Sequence, residues 1–74
     1  MITKIGVTSG EILSLLEEVK GPLTVKEIEV YLGEEKDIIL MCIGCLIREG
    51  LVEAEQANGT PFYRLKKHVK REQD

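Results

Sequence analysis

Asn58-Gly59 sits between two short runs in which apolar and polar residues alternate, and this places a hairpin at the end of the chain. Asn-Gly accepts positive φ at both central positions of a two-residue turn, whose twist matches that of two antiparallel strands. Before the turn, Val52 and Ala54 alternate with Glu53 and Glu55. After it, Tyr63 and Leu65 alternate with Arg64 and Lys66. A period of two puts one set of side chains on each face of a strand. Pro61 suits an edge strand, where its missing N–H leaves no ladder bond unmade.

Upstream the period is helical. Thr8-x-x-Glu11 reads as a capping box, predicting a helix start there and leaving residues 1–8 as an N-terminal arm. Ile12, Leu15, Leu16 and Val19 follow at helical spacing, and Gly21 and Pro22 are expected to stop the helix. Thr24-x-x-Glu27 repeats the box, Val25, Ile28 and Leu32 form a short stripe, and Gly33 ends it. A third helix is expected from about Glu35 to Glu49, with Gly50 at a left-handed cap. Glu34, Glu35 and Asp37 suit the positive end of its dipole. The predicted fold class is α+β, mainly helical. A helix-turn-helix unit followed by a two-stranded β-hairpin is the winged-helix arrangement.

At 74 residues the chain is read as a single domain, residues 1–74, with a charged tail over 67–74. It has one Phe, two Tyr and no Trp, so the core must be aliphatic. Small cores of this kind often lean on a partner subunit. The net charge of −3 hides an asymmetry. Residues 1–63 carry five basic and eleven acidic groups, whereas Arg64, Lys66, Lys67, Lys70 and Arg71 fall within eight residues. An acidic body repels a phosphate backbone. "MITKIGV" lacks the pattern of a secretory leader, and no run approaches the roughly 18 apolar residues of a membrane span. A cytoplasmic protein with reduced thiols is expected.

The run "LIREGLV" closing the third helix, followed by a strand, the Asn-Gly turn and "YRL", resembles the transcription-regulator winged helices over residues 11–66. "IGVTSGEI" near the start, with "IGCLIREG", is similar to a family of very small winged-helix proteins of unknown function. That resemblance implies the fold and homodimers, and it implies no established activity.

The third helix departs from what a DNA-reading helix needs. With about 100° per residue, Ile39, Cys42, Ile43 and Leu46 form the inward stripe, with Ile47 at its margin. The outward face carries Asp37, Ile38, Leu40, Met41, Gly44, Cys45 and Arg48. Base edges and phosphates are reached by Arg, Lys, Asn, Gln, Ser or Thr. Here only Arg48 qualifies, at the far end, and the first turn is acidic. Exposed Ile38, Leu40 and Met41 would form an apolar patch of the kind that marks an interface. Gly44 costs roughly 1 kcal/mol relative to Ala in mid-helix, a cost that makes sense if something packs closely there. Ile38, Leu40, Met41, Gly44 and Cys45 are therefore the expected interface, covered by a second copy, by residues 1–7 of the same chain or by its C-terminal segment. Any phosphate contact would fall to Arg48, Arg64, Lys66, Lys67, Lys70 and Arg71.

Cys42 and Cys45 form a C-x-x-C. Redox chemistry wants the first thiol at a helix N-terminus, and these lie mid-helix. Structural zinc wants four ligands, so a metal site would need both cysteines from each of two copies. Packing explains them best, with Cys42 inward and Cys45 at the interface. Ser9 and Ser14 have no His nearby, His68 is alone, and no phosphate loop is present, so no enzyme, cofactor or small-molecule substrate is expected. The expected function is a non-catalytic winged-helix module, acting through protein contact or as a homodimer, with at most weak DNA contact through the wing and tail. Its rivals are a sequence-specific DNA-binding regulator and a thiol-based metal or redox sensor.

Overall fold

The computed structural model describes residues 4–66. Three helices precede a hairpin: α1 (Lys4–Val19), α2 (Val25–Leu32), α3 (Lys36–Arg48), β1 (Val52–Ala57) and β2 (Thr60–Leu65). The sequence punctuation places most of these boundaries. The Thr24 hydroxyl accepts from the Glu27 N–H, and the Glu27 carboxylate accepts from the Thr24 N–H, completing the capping box of α2. Gly33 caps its other end at φ 65. At the end of α3, the Gly50 N–H donates to the Ile47 carbonyl at 2.9 Å and the Leu51 N–H to the Leu46 carbonyl at 3.0 Å. With Gly50 at φ 79, this is a Schellman motif.

The first helix differs from expectation at its start. Thr8 does not cap it. The helix already includes Lys4, and Thr8 is 2% exposed inside it. Ile5 lies seven residues before Ile12 and is partly buried against the core, so the apolar stripe runs two turns further back. Residues 4–7, expected as part of an arm, are thus the first turn of α1. At the other end α1 stops ahead of Gly21 and Pro22, as expected, and the left-handed residue lies one position before Gly21. Lys20 takes that conformation at φ 59, and its N–H donates to the Leu16 carbonyl at 3.0 Å.

The hairpin forms through Asn58 (φ 54) and Gly59 (φ 79), in the register Val52↔Leu65 to Ala57↔Thr60. Leu23, in the α1–α2 link, bridges the outer edge of β2: its N–H donates to the Tyr63 carbonyl, and the Tyr63 N–H donates to Leu23. Strand N–H groups alternate in direction, so Pro61 points its nitrogen to the same side as Tyr63, away from β1, and no bond in the hairpin is lost. Only the base of the hairpin is in the core. Val52 and Tyr63 are buried, but Ala54, expected on the inward side, is exposed.

One apolar cluster joins all five elements. Ile12, Leu15 and Leu16 of α1 meet Ile39, Cys42, Ile43 and Leu46 of α3, with Leu23, Ile28, Val52 and Tyr63 closing the sides. Each such side chain, fully buried, stabilises the fold by about 1.5–3 kcal/mol. The left-handed Lys20 is the evident local cost, since a Cβ is strained there by roughly 1–2 kcal/mol. Lys20→Gly is expected to raise stability by about 1 kcal/mol, read as a higher urea midpoint at unchanged m-value.

Candidate functional site

The seam with α1 consumes one side of α3 and leaves the other in solvent. Leu40 (40%), Met41 (55%) and Ile47 (41%) are among the exposed large apolar residues. Gly44, Cys45 and Arg48 are exposed beside them. A Cβ built on Gly44 would meet nothing within 4 Å, so none of the described residues packs over that position. The face is therefore apolar, open, and notched at its centre.

Two isoleucines trade places relative to the sequence reading. Ile38, expected on the open face, is partly buried against the core cluster, while Ile47, expected at the inward margin, is exposed. Both lie about a quarter turn from the inward stripe, on opposite sides, so the neighbouring elements decide their burial rather than the helical period.

The two thiols do not share a surface. Cys42 is fully buried, and its thiol donates to the Ile5 carbonyl at 3.4 Å, while Cys45 is exposed. No cluster of three or more His, Cys, Asp or Glu side chains that could hold a metal occurs among the described residues.

The basic residues are dispersed. Arg64 is held by carboxylates: its Nε donates to Glu53 at 3.0 Å, and Nη1 meets Glu55. The hairpin register dictates this, since Glu53 is the cross-strand partner of Arg64. Lys66 is half-buried where its N–H donates to the Leu51 carbonyl. Lys67, Lys70 and Arg71 lie outside the described residues. Lys26 and Lys36 fall outside the set expected to contact phosphate. They flank a shallow groove floored by Val25, Leu40, Pro61 and Tyr63, between α2, α3 and the wing. Only the tertiary fold brings these segments together.

The α2–α3 turn is tied to the start of α1. The Lys4 ammonium lies 3.0 Å from the Glu34 carboxylate, which also accepts from the Glu35 N–H. The bond to Lys4, and then the one from Glu35, hold the Glu34 carboxyl below its usual 4.5. The same pair holds Lys4 above 10.5.

Three helices with a capped helix-turn-helix pair and a C-terminal hairpin define a winged helix-turn-helix domain. The chain belongs to the winged helix-turn-helix domain family DUF2582, which it matches over residues 1–65. No curated protein matches the sequence. Solved structures show the same fold. A point mutant of ZitR from Lactococcus lactis aligns at TM-score 0.74 and 20% identity, over 90% of this chain and 44% of that one. The adhesin competence repressor AdcR of Streptococcus pyogenes aligns at 0.75 and 17%, over 89% and 47%. HOP2, in a structure described in terms of DNA recognition and protein interaction domains, aligns at 0.72 and 21%, over 80% and 98%. The chain spans less than half the length of the ZitR and AdcR chains.

The ion pair gives a signed pH dependence. Glu34, with its carboxyl lowered, contributes stability that is present above 4.5 and lost as pH falls through its folded value. Lys4, raised, contributes stability present below 10.5 and lost as pH rises past that. Glu34→Gln is expected to give a shallower fall in urea midpoint below pH 4.5 than the parent shows; an identical acid limb would remove this role for the pair.

Proposed function

We propose that the chain is a non-catalytic winged-helix module of transcription-regulator type whose third helix docks on protein rather than reading DNA bases. The observation that carries this is the open face of α3. Leu40, Met41, Gly44, Cys45 and Ile47 occupy the positions where a reading helix needs hydrogen-bonding groups, and Arg48 is the single strong donor on that line. Its first turn adds Asp37, beside Glu34 and Glu35, so carboxylates would confront phosphates at the groove. An exposed apolar patch with a polar rim is the usual mark of a protein contact. Homodimerisation is the simplest form of that contact, and a small aliphatic core gives such a domain reason to gain stability from a partner.

DNA contact, on this reading, is weak and indifferent to sequence. Arg64 is engaged by Glu53 and Glu55, which leaves Arg48, Lys66 and the basic residues 67, 70 and 71 to meet phosphates, and phosphate contact positions without specifying. A sequence-specific DNA-binding regulator is the second reading. The repressor and DNA-recognition proteins that share the fold favour it. The thiol-sensor reading gains nothing from one buried and one exposed cysteine.

A gel shift over a salt series separates the two. Random and pooled-sequence duplexes are expected to bind weakly and equally, and to be released by moderate salt. Lys67→Ala combined with Lys70→Ala and Arg71→Ala is expected to weaken that binding equally for all sequences and to make its salt dependence shallower. A selected sequence retained at physiological salt, with binding lost in Met41→Glu, would overturn the proposal.

A further inference from the structure

We propose that the partner on the open face of α3 is a second copy of the chain, packed antiparallel about a two-fold axis level with the midpoint between Cys42 and Ile43. This rests on the docking reading above and names its occupant. A two-fold contact places the same patch on both sides, so the patch must complement itself when reversed.

The exposed line of α3 does so. Asp37 and Arg48 are eleven residues apart, about three turns, so they stand on one line of the open face about 16 Å from each other. Reversal about the midpoint sets Asp37 level with Arg48 of the partner subunit at both ends of the contact. It sets Leu40 level with Cys45 of the partner subunit, and Met41 with Gly44 of the partner subunit. The ends are thus opposite in charge and the middle is apolar throughout. A parallel arrangement would place Asp37 against itself and Arg48 against itself. Charge complementarity therefore selects both the occupant and its direction, and antiparallel helix dipoles agree with it.

The shape agrees as well. Leu40, Gly44 and Ile47 share one flank of the line. Reversal places Leu40 of the partner subunit between Gly44 and Ile47 along the axis, where the missing side chain of Gly44 leaves open space. This gives Gly44 a purpose that nothing among the described residues supplies. Gly44 has no positive φ to require glycine, and in an isolated helix alanine would be better by about 1 kcal/mol.

The test is a pair of charge reversals followed by sedimentation velocity. The parent is expected to sediment as a dimer at micromolar concentration. Asp37→Arg alone and Arg48→Asp alone each bring like charges together at both ends, and each is expected to self-associate at least about tenfold more weakly. Mixed in equal amounts, the two variants recover opposite charges at both ends, and dimers are expected to return. Circular dichroism of each variant alone establishes that the fold is kept, and the mixing rescue cannot arise from misfolding. Single variants that dimerise like the parent, or a mixture that stays monomeric, would overturn the antiparallel register. A parent chain that stays monomeric at high micromolar concentration would overturn the second copy altogether. The docking reading itself fails by a different result, sequence-selective DNA binding through Met41.

Discussion

The seam between α1 and α3 decides what every other part of the molecule can do. Ile12, Leu15 and Leu16 on one side and Ile39, Cys42, Ile43 and Leu46 on the other are buried together, and the remaining elements close around them. Because that seam fixes the rotation of α3, it also fixes which residues face solvent. Leu40, Met41, Gly44 and Cys45 could turn inward only if the buried stripe turned out. The open face is therefore a consequence of the core, and its apolar character sits in tension with exposure. On the proposed reading, a protein surface offsets that tension.

Electrostatics points the same way. The first turn of α3 is acidic, as suits its dipole, and this places negative charge where a groove-reading helix would meet phosphate. The arginine best placed on the wing is neutralised by two glutamates. The architecture is shared with a repressor and with HOP2, whose structure is described in terms of both DNA recognition and protein interaction domains, but a fold carries function only through the side chains mounted on it.

The sequence displays its local chemistry plainly. The Thr24–Glu27 box, Gly33, Gly50 and Asn58-Gly59 each satisfy a need that lies within a few residues, and each forms as its spacing indicates. Thr8 misleads because its capping signal competes with burial of Ile5 and of Thr8 itself, and the tertiary gain wins. Gly21 and Pro22 mark the end of α1, but not that Lys20 takes the left-handed position, which is open to any residue that can bear the strain. Ala54 alternates correctly but lies beyond the edge of the core. Within the candidate site, the helical period separates the deep stripe from Leu40, Met41, Gly44 and Cys45. It cannot rank Ile38 against Ile47, which differ only in the elements beside them. The engagement of Arg64 was legible in principle, since the two-residue turn sets Glu53 opposite it.

The central claim is that the open face of α3 is where this protein meets protein. Amide chemical shifts recorded by heteronuclear NMR over a dilution series test it most directly, because they report contact residue by residue without a substitution. The account predicts concentration-dependent shifts centred on Leu40, Met41, Gly44, Cys45 and Ile47, with Asp37 and Arg48 at their limits. Shifts confined to the free edge of β1, or an α3 face that responds to duplex DNA and not to protein concentration, would contradict it.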